Sequence, residues 1–549
     1  MGYFGTDAPL PQLIPFRAGL LTGVYEAGKL RYLRIGQTEI LRMIYPAIRD
    51  RNWSTAPAEI IAENLDIQDN TFSIEYTARY QLNEVDYRAT YVMRGDEQGT
   101  LSVEMQGEAV STFWRNRIGL CILHPIEPCV GKPVVITHPD QTQTQSVFPE
   151  LISPHQPFVE IQGMTWSPAD GVEVQLHFEG DIFETEDQRN WTDTSFKTYS
   201  TPLRIPFSVE VQKGEKLYQK IVLQCQANQP QGITHSDEKI QISLSAESFP
   251  FPALGTVINN GGLPSRAFDQ MNQLGLSFLQ VQLRLDDPDF LQHLKKALAS
   301  AQSLAIKLGI SAFFGEEEEL FALLEALKPH ILHIQHLCVL SANDPVPSVE
   351  LQESIYLHCK QAFPQLPVGL GTDGFFTVLN RNRPATSQFD FLQFSLNPQV
   401  HAVDTRSLIE NLVAQRDVVR TAQSFAEGKP IYVSPVTLRA RNNPNPADTI
   451  DPRQHSALVA AWTLISLKYL APGAALTYFE AIGEKGLLPS NGTSPLADYW
   501  QQIATFQPVR IVDTHSSDPL KKDLLLLENE RKERLGFEVD FELGEIRVK

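Results

Sequence analysis

Carboxylates, an imidazole and guanidinium groups recur in the second half of this chain, where a repeating β/α unit would bring them to one rim. Asp373 follows a short apolar run, and His401 and Asp404 sit in NPQVHAVD. Arg439, Arg441 and Asn442 lie in TLRARNNP, and Tyr478 and Glu480 in LTYFE. Around one opening, such groups supply a general base, a general acid and a clamp for developing negative charge. A second cluster lies upstream in Asp181 to Tyr199, DIFETEDQRNWTDTSFKTY. It carries Glu184, Glu186, Asp187, Arg189, Asn190, Asp193 and Lys197 among Phe183, Trp191, Phe196 and Tyr199. Charges of both signs beside aromatic walls suit a loop that orients a small oxygen-rich ligand. Each candidate also has a plain reading. The stretch is then a surface loop pinned by its aromatics, and Asp404 the N-cap of a helix from Ser407. Arg439 and Arg441 pair with surface carboxylates, and His401 is a satisfied structural histidine.

The elements that must hold these groups change character near residue 250. Before it the chain reads as strands, among them Phe72 to Leu82, Tyr87 to Met93 and Leu217 to Gln226, with period-two alternation and turn clusters such as Lys213-Gly214-Glu215. That pattern predicts an antiparallel sandwich over 1–250. From about 254, eight apolar runs alternate with helical segments: 255–259, 278–285, 309–314, 331–339, 368–371, 391–396, 431–436 and 474–480. Eight runs with intervening helices predict a (β/α)8 barrel over 251–508, with its site at the C-terminal ends of the strands. The connection 377–390 is the weak one. Strand-like pieces over 509–549 predict a small C-terminal β domain.

Alternation sorts each barrel strand into a helix-facing and a lumen-facing set. It leaves Gln280, Gln282 and Arg284 for the lumen in one strand, and Gln393, Ser395 and Asn397 in another. His333 with Gln335, and Tyr478 with Glu480, are the corresponding pairs elsewhere.

Composition narrows the function classes. A net charge of −19 disfavours nucleic acid and anionic membrane surfaces as partners. No apolar run reaches the ~20 residues of a membrane span. Five widely spaced cysteines without CxxC point to a reducing compartment, so a soluble cytoplasmic protein is expected, its oligomeric state open. GxSxG, HExxH and GxxxxGK[ST] are absent, and neither a cofactor nor a metal is expected. The fourth and seventh barrel runs also lack the terminal Glu of common barrel glycosidases.

Five blocks carry a more specific likeness: RNRIGLCILHP (115–125), FEGDIFETEDQRNWTDTSFKTYSTPL (178–203), NPQVHAVD (397–404), SPVTLRARNNP (434–444) and TYFEAIGEKG (477–486). In this order they resemble the D-apionate lactonase family. The resemblance implies a sandwich domain, a glycosidase-like barrel and a small C-terminal domain. It also implies hydrolysis of a branched sugar-acid lactone in bacterial sugar catabolism, but assigns no catalytic residue.

Lactone hydrolysis needs an activated water, donors for an oxyanion and a proton for the leaving alkoxide. The expectation is that Glu480 or His401 activates water, with Asp373 or Asp404 orienting the histidine. Arg439 and Lys197 face the oxyanion, Arg189, Asn190 and Asp193 read sugar hydroxyls, and Trp191 or Tyr478 stacks on the ring. Glu184, Asp187, Arg441 and Asn442 complete the substrate-binding set. Two alternatives stand beside it. One is a glycoside hydrolase using two carboxylates drawn from Glu480, Asp373, Glu184 and Asp187; the other is a non-catalytic carbohydrate-binding protein.

Overall fold

The computed structural model describes residues 3–5, 10–227, 239–344, 347–441 and 449–549. The chain forms two compact units. One holds the described residues of 10–188 and 194–227. The other holds the described residues of 239–549 together with residues 3–5 and the pentapeptide Arg189–Asp193.

The first unit is two nine-stranded antiparallel sheets sharing one apolar core. In one sheet the long strands Thr38–Asp50 and Phe113–Pro125 pair in the middle, from Met43↔Leu123 to Asp50↔Arg115. In the other, Phe72–Leu82 and Val85–Gly95 pair without a register break. Their alternate Ile74, Tyr76, Ala78, Tyr80 and Tyr87, Ala89, Tyr91, Met93 are buried, as half-buried strands require. The stretch 181–199 is a hairpin rather than an irregular loop. Phe183–Asp187 and Ser195–Tyr199 pair from Glu184↔Tyr199 to Asp187↔Phe196. Its charges are not scattered: Glu186 lies directly opposite Lys197, and the two form a 3.2 Å ion pair.

The second unit is built on a closed parallel barrel. Its strands are β1 (Ala253–Ile258), β2 (Phe278–Arg284), β3 (Lys307–Phe314), β4 (Ile334–Ser341), β5 (Val368–Gly371), β6 (Phe391–Leu396), β7 (Ile431–Val436) and β8 (Ala475–Ile482). Each pairs with the next, and β8 returns to β1. The helix after β5 is short, Phe376–Arg381, and the helical region after β6 is split into Thr405–Glu410 and Ala414–Phe425. Ser456 caps the helix Ala457–Tyr469 through Val459 N, and Ser494 caps Pro495–Phe506 through Ala497 N. The strands Pro508–Ser516, Lys522–Asn529, Arg534–Asp540 and Glu545–Val548 form a five-stranded sheet whose edge is Ile242–Pro250. Asp523 of this sheet accepts from Lys468 Nζ and Tyr469 Oη of the helix Ala457–Tyr469, tying the sheet to the barrel. No described helix is long and apolar enough to cross a membrane.

The barrel interior is polar and layered. The rings of Phe278, Phe391 and Tyr432 lie 5.1–5.4 Å from that of His336. His336 Nε2 meets Gln280 Oε1 at 3.0 Å, and the amides of Gln280 and Gln393 both donate to Ser311 Oγ. The expected lumen residues Gln280 and Gln393 are therefore in place, but the fourth strand's inward histidine is His336 rather than His333. The cause is Lys328–His333, a 3₁₀ segment with Pro329 at its start, which delays the strand to Ile334 and leaves His333 outside it.

Bulky lumen groups require gaps opposite them. A Cβ on Gly309 would stand 2.3 Å from Gln280 Oε1 and 2.6 Å from the His336 ring. Gly309→Ala is therefore expected to lose about 1–3 kcal/mol by overpacking. Urea unfolding would measure it, and a loss under about 0.5 kcal/mol would mean that the layer is loosely packed.

Candidate active site

A cavity of about 840 Å³ opens at the C-terminal ends of β1 to β5. Asn259, Gln282, Arg284, Thr372 and Asp373 line its polar part, and Phe313, Leu340, Ile355 and Leu379 its apolar part. Two groups of polar side chains stand at this rim.

The first is built around Asp373. Gln282 Nε2 donates to Asp373 Oδ1 at 2.9 Å, Arg441 Nη1 donates to Gln282 Oε1 at 2.7 Å, and Arg441 Nη2 pairs with the same Asp373 oxygen. Ser395 Oγ donates to the Asp373 and Gly374 carbonyls, which fixes the loop that carries the carboxylate. Four strand ends thus converge on one ion pair. The second group is Glu480, which accepts from Asn259 Nδ2 at 3.2 Å.

Glu480 reaches the rim through a backbone irregularity. Gly255 pairs with Thr477 but Val257 with Glu480, so β8 has one residue more than β1, and Phe479 adopts φ 55°. This bulge breaks the alternation that would put Tyr478 and Glu480 on one face. Tyr478 is 0% exposed, and its hydroxyl lies 2.9 Å from Ser466 Oγ on the helix Ala457–Tyr469. It is core packing and lines no part of the cavity.

The pentapeptide Arg189–Asp193 brings His401 its partner. His401 Nδ1 lies 2.5 Å from Asp193 Oδ2, and Asn411 Nδ2 donates to Asp193 Oδ1 at 2.9 Å. Neither Asp373 nor Asp404 takes this role: Asp373 is held by Arg441, and Asp404 caps the helix Thr405–Glu410 through Ser407 N. Trp191 packs edge-on against Phe375 and His401, at 5.2 and 5.9 Å between ring centroids. Asn190 accepts from Asn380 Nδ2 at 2.9 Å, and Arg189 pairs with Asp417 at 3.0 Å.

Other expected site residues have hydrogen-bond or ion-pair partners of their own. Glu184 accepts from Tyr199 Oη and Leu203 N, Asp187 from Ser153 N, and Lys197 pairs with Glu186, all within the first unit. Arg439 pairs with the buried Asp451 at 3.0 Å. Asn442 lies outside the described residues. Among the described residues, no three His, Cys, Asp or Glu side chains gather as a metal site would need.

Asn259, Asn411, Asp451 and Arg453 were not picked out from sequence; single polar residues outside a motif give no signal of their own. Asp451 anchors the segment after β7, accepting from Arg439, Arg453 and Gln399. Burial raises its pKa, but the Arg453 hydrogen bonds and charge, with Gln399, outweigh burial and hold it at about 2. The folded value is depressed, so this stability is present above the unfolded value near 3.8 and is lost as pH falls toward about 2. Asp451→Asn is expected to cost about 3–5 kcal/mol at neutral pH and to flatten the pH dependence between these values. Urea titrations from pH 6 downward read both effects; an unchanged slope in the variant would sink the linkage.

Comparisons with known proteins agree with this architecture. The D-apionate lactonase N-terminal domain profile matches residues 1–228, and the D-apionate lactonase TIM barrel domain profile matches 253–512. A curated D-apionate lactonase from Brucella anthropi is 28% identical over 535 residues, covering 90% of this chain and 86% of its own. Among solved structures, an α-L-arabinofuranosidase from Thermotoga maritima aligns with TM-score 0.42 at 9% identity, over 55% of this chain and 85% of that one. A Bacteroides uniformis β-glucuronidase aligns with TM-score 0.37 at 10% identity, over 86% of this chain and 57% of that one. The structural alignments carry no functional argument; the two domain profiles, in order and together spanning most of the sequence, do, and the chain belongs to the D-apionate lactonase family.

Proposed function

We propose that this protein hydrolyses the lactone of a small sugar acid of the D-apionolactone type, in carbohydrate catabolism. The observation that carries the reading is the barrel rim. There Asn259, which lines the cavity, donates to Glu480, and Gln282 and Asp373, which line it too, fix Arg441. A lactone is a cyclic ester: water adds to the acyl carbon, the ring C–O bond breaks, and the ring oxygen leaves as an alkoxide that takes a proton.

In this reading Glu480 takes the proton from the attacking water while Asn259 orients its carboxylate. Arg441 faces the oxyanion; its fork is already locked by Asp373 and Gln282, so little reorganisation accompanies charge development. His401, oriented through Nδ1 by Asp193, protonates the departing alkoxide. Gln282, Arg284 and Thr372 supply hydroxyl contacts from the cavity wall. The Asp193–His401 geometry supports an orienting role for Asp193 in place of Asp373 or Asp404. We assign the enzyme to the cytoplasm, since all five cysteines are buried free thiols.

A glycosidase reading finds less support at the rim, because β4 ends in Leu340-Ser341 and β7 in Pro435-Val436, without carboxylates. The test is a pH-indicator assay on aldonolactones, apionolactone included, with aryl glycosides in parallel. Acid release from a lactone is expected. Glu480→Gln and His401→Asn should each lower kcat by about 10²–10⁴-fold. Aryl release without acid release overturns the reaction class. Turnover within a few-fold of wild type in both variants overturns the residue assignment.

A further inference from the structure

Arg117, in the sequence block 115–125, is a buried cation whose guanidinium is only partly hydrogen-bonded among the described residues. It is 5% exposed on the strand Phe113–Pro125. Its Nη1 donates to the Asn116 carbonyl at 2.6 Å. Its Nε and Nη2, both closed from solvent, meet no hydrogen-bond partner among the described residues.

The carboxylates whose charge it feels are committed elsewhere. Glu184 accepts from Tyr199 Oη and Leu203 N, and Glu186 pairs with Lys197. Three rings surround the guanidinium instead: Trp53 at 5.3 Å, Phe207 at 5.6 Å and Tyr199 at 5.9 Å from their centroids. Aromatic faces attract a cation but do not replace hydrogen-bond acceptors for its N–H groups. Burial accordingly depresses the Arg117 pKa; Tyr199 and Glu184 offset this only in part.

The unmet atoms are one edge of the guanidinium, Nε with Nη2, and that edge matches the two oxygens of a planar carboxylate. The protein uses it this way elsewhere. Arg79 gives Nε and Nη2 to Asp86 at 2.9 and 2.6 Å, and Arg284 gives them to Asp286 at 3.1 and 2.9 Å. Ser200 Oγ, also buried without a partner, sits over Gly119, two residues along the same face of the strand. Trp53 and Phe207 pack edge to face at 5.4 Å while remaining 40% and 50% exposed. Both rings stand against the guanidinium and themselves reach solvent.

We propose that Arg117 is the anchor of a second, carboxylate-binding site in the N-terminal unit, taking an open-chain sugar acid. The carboxylate lies on the Nε/Nη2 edge, a hydroxyl meets Ser200, and the C–H face lies against Trp53 and Phe207. The choice of a sugar acid over other carboxylates rests on the lactone-hydrolase reading, whose product is of this class; the carboxylate anchor does not.

The experiment titrates the full-length protein with sodium D-gluconate. Tryptophan fluorescence and calorimetry are the readouts, with sodium chloride at matched ionic strength and neutral D-glucitol as controls. The expected result is saturable binding of gluconate but not of glucitol, with a fluorescence change that disappears in Trp53→Phe. Arg117→Lys, which keeps the charge but loses the fork, should weaken binding about tenfold or more. If Arg117→Lys does not fold, as judged by its melting, the surface variant Trp53→Ala takes its place and should weaken binding likewise. No saturable signal beyond the salt control in wild type overturns the site, and so does undiminished affinity in a folded Arg117→Lys or Trp53→Ala. Lactone turnover without gluconate binding removes this site and leaves the active-site reading intact. Gluconate binding through Arg117 without lactone turnover does the reverse.

Discussion

Closure of the barrel between β8 and β1 sets the geometry of the rim. A closed sheet has no edge left to absorb a mismatch, so the extra residue of β8 has to be taken up locally, and Phe479 does so at φ 55°. Thr256 Oγ1 donates to the Phe479 carbonyl at 3.2 Å, securing the irregular turn from the neighbouring strand. The outcome separates two residues that alternation would pair. Tyr478 becomes part of the core beside Trp500, and Glu480 comes within reach of Asn259. A regular strand would have turned this carboxylate toward the helices, where its charge would need a partner that the apolar packing there does not offer.

Beneath the rim, the lumen works as a support. Polar groups inside a barrel are tolerated only when their hydrogen bonds are made within it. Gln280, Ser311, Gln393 and His336 meet this demand largely among themselves, and burial keeps the His336 imidazole neutral, pushing its pKa down to about 3. A histidine so held is a hydrogen-bonding strut and no candidate for proton transfer near neutrality. The same strands carry the next layer outward, where Gln282 and Ser395 grip Asp373 and its loop and thereby Arg441. Rim geometry is thus inherited from packing one layer below it.

Much of this was legible because buried parallel strands write themselves as apolar runs, and the eight runs 255–259 to 474–480 each fall on a barrel strand. Polar lumen residues were legible for the complementary reason: Gln280, Gln282, Gln393 and Ser395 interrupt strands that otherwise favour Leu, Val and Phe. Sequence patterns failed where register is set by something other than strand periodicity. The 3₁₀ segment ending at His333 shifted the inward position to His336, and the bulge at Phe479 turned Tyr478 away. Pairings across long sequence separations were also invisible. Asp193 and His401 are 208 positions apart, and no local pattern says which of several acidic residues will meet the imidazole.

The pentapeptide Arg189–Asp193 shows how far a functional reading from residue type can go. Its residues have the chemistry of sugar readers, but a group already hydrogen-bonded to protein must break that bond before it serves a ligand. Arg189 is spent on Asp417, Asn190 on Asn380, and both oxygens of Asp193 on His401 and Asn411. Those partners lie after β5 and β6, in the loops and helix that carry Phe375, His401 and Asp417. The segment therefore acts on the site as a brace: it holds Trp191 against His401 and fixes the orientation of the imidazole. Losing the brace would disorient the imidazole first, so a substitution at Asp193 should act on turnover more than on substrate affinity.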